Sequence, residues 1–503
     1  MYTNVMQFLE ESYQKKANDV LLEDISNKMT YTEVYIAARK IGSFLARNIQ
    51  GKNNPVFVCI DRNIDSIVMF FGVVYSGNFY VPVDLGLPEV RLKKMLETIN
   101  PVAILGKEDE SFEGVEASVS FFSIKQMLEA DVDDKLLDNI RENAIDTDPL
   151  YAIFTSGSTG VPKAVLIAHQ SVIDLMNAFD KTFSFDDHLV LGNQAPFDFD
   201  VSVKDIYSAI KFGARLEVIP KEYFVFPVKL IDYLNERKVN TVIWAVTALC
   251  IIANLRIMRK KKPEYLENVF FSGEVMPIKA LNYWMDNLPM IRYVNLYGPT
   301  EITCNCTYFR VERKYETNEV LPIGKPFINT DVIVLNGNDS LVGCNEIGEL
   351  CVRGRSLALG YYNNIEKTDE FFCQNPLNDK YPEKIYRTGD LVKYDDNGNL
   401  IYCARKDFQI KHMGHRIELS EIEAAADSVP GINRCCCLYD YDREKIVLVY
   451  ETITSLSELE ISGYLVKLLP KYMIPTEYIK LDYIPLNNHL KIDRARLKKD
   501  YIS

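Results

Sequence analysis

The spacing of hydrophobic positions predicts alternating strands and helices over the first half of the chain. Residues 55–60 form a short apolar run typical of a buried strand, and residues 64–76 have the length and apolarity of a buried helix. Thr30 opens a helix-capping pattern, after which apolar residues recur at helical spacing. The same alternation predicts helices over 88–99, 202–212 and 227–237, and strands over 80–83, 102–105, 189–192, 215–219 and 241–244. This favours an α/β fold with mixed, mostly parallel sheets flanked by helices.

The pattern changes near residue 331. Alternating segments at 331–335, 348–354 and 400–403, punctuated by Asn-Gly and Asp-Asn-Gly turns, predict antiparallel hairpins in a barrel-like β subdomain. Beyond Asp407 a small α+β unit is predicted, with strands at 408–411, 435–438, 446–450 and 479–481 and helices at 418–428 and 455–469. We therefore expect an N-terminal core over 1–406, with sheet subdomains to about 330 and the barrel-like subdomain over about 331–406, and a mobile C-terminal domain over 407–503.

Composition narrows the function classes. The 503 residues exceed what one hydrophobic core organises, so at least two domains are expected. A net charge of −13 offers nothing that would recruit nucleic acid or an anionic membrane. The longest apolar run, 67–75, is too short to span a bilayer, and no secretory signal opens the chain. Eleven cysteines without zinc-ligand spacing indicate reduced thiols, so we expect a cytoplasmic protein with no membrane insertion.

One loop, Thr155 to Lys163, combines glycines, hydroxyl residues and a lysine between two apolar strand-like runs. Its glycines let the backbone turn, and its closely spaced N–H and hydroxyl groups are the ingredients of an anion-binding concavity beside the lysine charge. This predicts a triphosphate site. It is not an ordinary P-loop, because Pro162 occupies the place of the second glycine and Ala164 follows the lysine. Taken alone, the loop is equally compatible with a hairpin turn that carries a chance lysine.

Four later stretches carry further candidate chemistry: residues 295–304, with an aromatic beside a Gly-Pro turn and an acid beyond it, 386–391, with an acid after a Gly turn, 405–419, and 491–494. Each by itself is also explained by a plain turn, a helix cap or a solvated tail charge. Together, in this order after the Ser/Gly loop, they resemble the adenylate-forming superfamily, which includes nonribosomal-peptide adenylation domains, acyl-CoA synthetases and luciferases. The resemblance covers nearly the whole chain. Through residues 197–205, 271–277 and 407–411 it is similar to free-standing D-alanine–carrier protein ligase and other amino-acid-adenylating enzymes.

The resemblance implies ATP-dependent activation of an amino acid as aminoacyl-AMP, with release of pyrophosphate. Transfer to the phosphopantetheine thiol of a separate carrier protein follows, after the C-terminal domain turns about a hinge at Asp407 and moves Lys491 away. Mg²⁺ and two lysines would offset the repulsion between two anions, without a covalent enzyme intermediate. The implied catalytic residues are Lys491, Lys163, Thr300 and Glu301, and Glu301 is also the implied Mg²⁺ ligand.

The resemblance also implies a role for each ATP contact. Tyr297 stacks on the adenine and Asn295 meets its amino group, while Asp390 binds the ribose with Tyr402 and Arg405 nearby. The full implied ATP site comprises Thr155, Ser156, Gly157, Ser158, Thr159, Gly160, Lys163, Asn295, Leu296, Tyr297, Gly298, Pro299, Thr300, Asp390, Tyr402, Arg405 and Lys491.

Asp200 is the most informative residue for the class of acid that is activated. In the amino-acid branch an Asp at this place pairs with the α-ammonium of the substrate; the alternative is a surface or capping Asp. The implied pocket comprises Asp200, Val201, Lys204, Phe270, Ser272, Gly273, Leu296, Cys304 and Asn305, with Trp244 as a further aligned position. Ser272 and Lys204 depart from a D-alanine pocket. They suggest a small or polar amino acid with Lys204 facing a side-chain carboxylate or carbonyl, unless Lys204 extends to solvent.

The acceptor and two competing functions stay open at this point. Since the sequence ends soon after Lys491, we expect a separate acceptor, either a carrier protein or coenzyme A. An acyl-CoA synthetase for an acid without an amine is disfavoured by Asp200. A non-catalytic nucleotide-binding relative is disfavoured by the joint presence of five residues: Lys163, Glu301, Asp390, Arg405 and Lys491. The sequence does not specify the amino acid, its chirality, the pathway or the oligomeric state.

Overall fold

The structure is a computed structural model that describes residues 2–108, 119–157, 162–441, 443–452, 454–486 and 492–502. The helices are α1 Met6–Lys16, α2 Tyr31–Asn48, α3 Ile64–Tyr75, α4 Glu89–Ile99, α5 Ile124–Leu128, α6 Asp134–Glu142, α7 His169–Phe183, α8 Val201–Phe212, α9 Pro227–Glu236, α10 Val246–Asn254, α11 Ile278–Asn287, α12 Ile365–Phe371, α13 Leu419–Asp427, α14 Glu458–Leu465 and α15 Arg494–Tyr501.

The strands are β1 Val20–Glu23, β2 Lys28–Thr30, β3 Pro55–Cys59, β4 Phe79–Val83, β5 Ala103–Gly106, β6 Ser120–Ser123, β7 Pro149–Thr155, β8 Lys163–Ala168, β9 Val190–Asn193, β10 Arg215–Val218, β11 Thr241–Ala245, β12 Asn268–Ser272, β13 Arg292–Tyr297, β14 Thr307–Val311, β15 Lys325–Pro326, β16 Thr330–Leu335, β17 Gly348–Gly354, β18 Gly360–Tyr361, β19 Phe372–Gln374, β20 Lys384–Tyr394, β21 Leu400–Arg405, β22 Gln409–His412, β23 His415–Glu418, β24 Ile432–Asp440, β25 Lys445–Thr452 and β26 Glu477–Leu481.

Two large mixed sheets form the first part of the molecule. One has the strand order β18-β8-β7-β4-β3-β5-β6, and the other β15-β14-β13-β12-β11-β9-β10-β1-β2. The inner strands β3, β4 and β9 to β13 pair in parallel, as their continuous apolar runs predict. The predicted α/β fold with helix-flanked sheets is confirmed.

Helices α2 and α3 pack closely beneath these sheets. Thr30 and Glu33 form a reciprocal capping box at the start of α2, as the sequence predicts. A Cβ on Gly72 of α3 would lie 2.2 Å from the Cγ2 atom of Ile41, so only glycine permits this approach of the two helices. The helix predicted over 64–76 is the buried helix α3.

After residue 330 the chain forms an antiparallel sheet, as predicted, followed by a small α+β unit in which β24 and β25 pair antiparallel and β25 and β26 pair in parallel. Strands β16, β17, β20 and β19 form a sheet in that order, and β21 pairs with β20. Strands β24, β25 and β26 form another, against which α13 packs. Within β24, Cys435 and Cys437 face one apolar core and Cys436 faces the other, because consecutive side chains alternate between the faces of a strand. The helix predicted over 455–469 is shorter and spans Glu458 to Leu465.

Among the described residues, no helix combines the length and the apolar character needed to cross a bilayer.

His169, at the start of α7, makes stability depend on pH. Burial lowers its pKa from about 6.5 to about 3, and its Nδ1 atom accepts a hydrogen bond from the Val5 N–H at 3.3 Å. Because the unfolded chain binds this proton below pH 6.5 and the folded chain does not, stability should fall as the pH drops from 6.5 towards 3. At pH 5 the loss amounts to about 2 kcal/mol, at 1.36 kcal/mol for each pKa unit.

Urea unfolding at pH 7.5 and pH 5 tests this expectation. The H169Q variant should lose about 2 kcal/mol less than the wild type between the two pH values, since glutamine does not titrate in this range. H188Q, which changes an exposed histidine, should keep the wild-type difference. Equal pH dependence in H169Q and the wild type would contradict the assignment.

Candidate functional site

The sequence-predicted site residues converge at the carboxyl ends of parallel strands. Ser272 and Tyr297 are the last residues of β12 and β13, and Asp200 directly precedes α8. Ligands of open α/β sheets bind at this edge, where loops leave the strands. Most of the predicted positions therefore lie in one neighbourhood.

A constrained turn after β13 carries several of these side chains. A Cβ on Gly298 would lie 2.6 Å from the Cα atom of Asn305, so the turn requires glycine there. Thr303 and Cys304 have φ values of 58° and 70°, in the left-handed region that a β-branched residue such as Thr303 rarely adopts. This strain is offset by the surrounding packing, and it fixes the positions of Glu301, Cys304 and Asn305.

Glu301 is fully buried within a network of donors. Its Oε1 atom accepts a hydrogen bond from the Tyr361 hydroxyl at 2.8 Å, and its Oε2 atom accepts one from Arg416 Nη1 at 2.7 Å. Burial opposes the charged carboxylate, but Arg416 and Lys163 outweigh it and hold the pKa of Glu301 below its usual value. The Lys163 ammonium lies 5.3 Å from the centre of the Tyr361 ring, and burial and Arg416 lower its pKa. The network therefore holds an ionised Glu301 beside two cations.

Asp390 is a second buried carboxylate, on β20. Its Oδ2 atom accepts a hydrogen bond from the Tyr297 hydroxyl, and its Oδ1 atom accepts one from Arg405 Nη1 at 2.9 Å. Arg405 also donates to both carboxylate oxygens of Asp407, at 2.9 and 2.7 Å. Burial lowers the pKa of Arg405, but Asp390 and Asp407 raise it overall. Tyr402 lies close enough to Asp390 that burial and this charge raise its pKa.

The β22–β23 hairpin docks onto this edge of the sheets. The Gly414 N–H donates to Glu274 Oε1 at 2.8 Å, and the Ser156 hydroxyl donates to the Arg416 carbonyl at 2.8 Å. The Lys411 ammonium lies 5.9 Å from the centre of the Tyr297 ring. Sequence reasoning gave Arg416 and Lys411 no role, although both fall in the stretch 405–419 that it singled out. In the sequence, the only indication that Arg416 and Lys411 belong to the site was a positive charge to which no partner was assigned.

Lys204 forms a buried polar cluster beside Asp200. Its side chain has no exposed surface, and its ammonium donates to Ser272 Oγ and Asn305 Oδ1, both at 3.0 Å. Extension of Lys204 to solvent is therefore wrong. Burial lowers the pKa of Lys204 and raises the pKa of Asp200. The surface alternative for Asp200 is wrong as well, since its side chain is buried and makes no capping hydrogen bond.

Trp244 lies apart from the cluster. Its indole N–H donates to the Gly192 carbonyl, and its ring packs on Phe224, on the sheet face opposite Phe270. Its alignment to the pocket is wrong because Trp244 pairs with Phe271, and successive residues of a strand such as Phe270 and Phe271 face opposite sides of the sheet. Phe270 instead packs against Phe183 and Phe185, at 4.8 and 5.5 Å between ring centres.

The other predicted residues vary in how far the structure describes them. Ser158, Thr159, Gly160 and Lys491 lie outside the described residues. Buried positions at this edge of the sheets are Thr155, Ser156, Gly157, Val201, Asn295, Leu296, Pro299 and Cys304, whereas Gly273, Gly298 and Thr300 are half-buried and Asp407 is exposed.

A metal ion at this site would have one carboxylate ligand. Within the described ranges, no group of three or more His, Cys, Asp or Glu side chains is placed to hold a metal. Glu301 nevertheless fits Mg²⁺, which is commonly bound through one or two carboxylates together with substrate phosphates and water. Its Oε2 atom is occupied by Arg416 in the present arrangement.

Comparisons with known proteins agree on a family. A family model described as AMP-binding enzyme matches residues 9–362. Over 495 residues, 98% of this chain, the sequence is 30% identical to bacitracin synthase 1 of Bacillus licheniformis, of which it spans 9%.

Solved structures of low sequence identity share the fold. An NRPS protein containing adenylation and PCP domains superposes with a TM-score of 0.85 at 21% identity, over 99% of this chain and 84% of that one. The o-succinylbenzoate CoA synthetase of Bacillus subtilis does so with a TM-score of 0.85 at 18% identity, over 99% and 98%. Since one fold accommodates both, the substrate must be argued from the site itself.

Proposed function

We propose that this chain, which belongs to the AMP-binding enzyme family, is an adenylation enzyme of the nonribosomal-peptide type that activates an amino acid as aminoacyl-AMP. Pyrophosphate leaves in this first half-reaction. In the second, the aminoacyl group passes to the phosphopantetheine thiol of a separate carrier protein.

Asp200 is the single observation that carries the amino-acid assignment. Its carboxylate is buried, and no lysine, arginine or histidine of the described residues lies within ion-pair distance of it. Burial raises the pKa of Asp200, and Lys204 and a hydrogen bond with Thr300 only partly oppose this. A buried carboxylate is stabilised by a directly bound cation, which the α-ammonium of an amino acid would supply.

The proposed ATP site follows from the two buried carboxylate networks. Asp390 would accept hydrogen bonds from the ribose hydroxyls, with Arg405 and Tyr402 beside it. The Asn295 amide donates to the Pro322 carbonyl at 2.8 Å, which leaves its own oxygen free to accept from the adenine amino group. Lys163 and the loop that precedes it would face the phosphates, together with Thr300.

Glu301 is the residue we assign to hold Mg²⁺, which would stabilise the charge that develops on the phosphates. The Arg416 guanidinium that now contacts this carboxylate would have to leave it. We accordingly propose that adenylation needs a different placement of residues 407–503 from the one described, with Asp407 as the hinge and Lys491 at the site.

Amino-acid-dependent ATP–pyrophosphate exchange tests the proposed function. The panel comprises the L-amino acids, glycine and D-alanine, with acetate, benzoate and o-succinylbenzoate as acids that lack an amine. We expect exchange with one or a few amino acids and none with the three controls. Exchange confined to the acids without an amine would instead favour an acyl-CoA synthetase. Transfer of the activated group to a phosphopantetheinylated carrier and to coenzyme A, measured side by side, then identifies the acceptor.

A further inference from the structure

We propose that Lys204, Ser272 and Asn305 form a subsite for a side-chain carboxylate, so that the amino acid activated here is acidic. This inference rests on the proposed function and adds the substrate class to it.

The start of α8 carries two opposite charges. Asp200 and Lys204 are four residues apart, and their side chains therefore lie on the same face of the helix. An acidic amino acid carries the complementary pair, a positive α-ammonium and a negative side chain. With its α-ammonium at Asp200, its side chain would extend along the helix towards Lys204.

The positive charge of Lys204 is buried, and none of its hydrogen-bond partners is a counter-ion. The Lys204 ammonium has no exposed surface, and in the described part of the chain no carboxylate forms an ion pair with it. Asp200 and Asp205 lie near enough to favour its charged form, but its two hydrogen-bond acceptors are neutral. A buried cation of this kind is stabilised by a carboxylate in direct contact.

The Lys204 cluster has more hydrogen-bond donors than acceptors left to offer a ligand. Ser272 Oγ and Asn305 Oδ1 are both used as acceptors from Lys204. Each of the two oxygens keeps one further lone pair, but four hydrogens remain to be donated: the third N–H of the ammonium, the serine hydroxyl proton and the two Asn305 amide protons. An ionised carboxylate accepts hydrogen bonds and donates none, so it matches this cluster better than an amide or a hydroxyl, which also donate.

Apolar and basic substrate side chains do not fit this cluster. An apolar side chain would seal the Lys204 charge away from water without contacting it through a polar atom, and a basic side chain would repel it. The surrounding Val201, Phe270 and Leu296 are buried and apolar, so no other charged side chain of the described pocket competes for the substrate.

The experiment compares exchange with L-aspartate, L-glutamate, L-asparagine, L-glutamine, L-serine, L-alanine and L-leucine. In the wild type, kcat/KM for an acidic amino acid should exceed that for its amide. K204M should lower the value for the acid by about 30-fold and raise the value for an apolar amino acid of similar length, because the charged partner is lost. K211M alters a lysine on the same helix that lies over the rings of Tyr2 and Phe8, and it should leave the profile unchanged.

A second variant and a binding measurement keep the result interpretable. S272A removes one hydroxyl and should reduce the preference for the acid by a smaller factor, and ATP binding by calorimetry shows whether each variant is folded. Exchange by the wild type with neutral amino acids only, or an unchanged profile in a folded K204M, would overturn the subsite. Absence of exchange with every amino acid would instead overturn the proposed function itself.

Discussion

Replacing Glu301 by glutamine should reduce ATP–pyrophosphate exchange by about 10³-fold, or ~4 kcal/mol of transition-state stabilisation. The amide oxygen of glutamine can still accept a hydrogen bond from the Tyr361 hydroxyl, so the packing of this buried position is kept. The substitution removes the negative charge of Glu301. We propose that this charge binds a divalent cation, and Arg416 contacts it in the present arrangement. A loss of this size would identify the charge of Glu301, rather than its shape, as the essential property.

Two measurements distinguish a metal role from general damage. The Mg²⁺ concentration for half-maximal exchange should rise at least about tenfold in E301Q, since a charged ligand contributes more to a cation than a neutral one. E312Q, which changes an exposed carboxylate just after β14, should behave as the wild type in both respects. Exchange within threefold of the wild type in a folded E301Q would remove Glu301 from the catalytic machinery.

The sequence predicted those parts of the molecule that local patterns determine. The capping box of Thr30, the buried helix at 64–76 and the continuous apolar strands are short-range signals, and all three are observed. The helix predicted over 455–469 was too long. Ser457 caps α14, so the helix begins only at Glu458, and it ends at Leu465. Local sequence patterns indicate the presence of a helix or strand more reliably than the residues at which it begins and ends.

The contacts that organise the site were beyond local patterns. The pair of Arg416 and Glu301 joins residues 115 positions apart, and it forms only when the β22–β23 hairpin lies against the edge of the large sheets. The burial of Lys204 likewise depends on Ser272, at the end of β12, and on Asn305, in the turn after β13. The sequence marked Lys204 as a candidate pocket residue, but whether its side chain is exposed or buried depends on the tertiary structure.

The same pair yields the second large prediction, for Arg416. Arg416→Gln should slow the transfer of the aminoacyl group from preformed aminoacyl-AMP to a pantetheine thiol by about 10²-fold, because loss of one partner leaves a buried carboxylate unpaired at a cost of ~3 kcal/mol. That cost falls only on the arrangement in which the hairpin is docked. Exchange, which we assign to the other placement of residues 407–503, should change less than about threefold, since Arg416 is then away from Glu301.

Measuring both half-reactions in the same variants tests whether Arg416 acts through Glu301. R434Q changes an exposed arginine on β24 and should leave both rates at wild-type values. In the double variant E301Q/R416Q no unpaired buried charge is left. The rate of transfer from supplied aminoacyl-AMP should therefore recover most of the loss seen in R416Q. The double-mutant cycle gives the coupling energy between Arg416 and Glu301 directly. Equal losses in exchange and transfer would contradict a role confined to the docked arrangement. Additive effects of the two substitutions would show that the contact between Arg416 and Glu301 does not stabilise the docked arrangement.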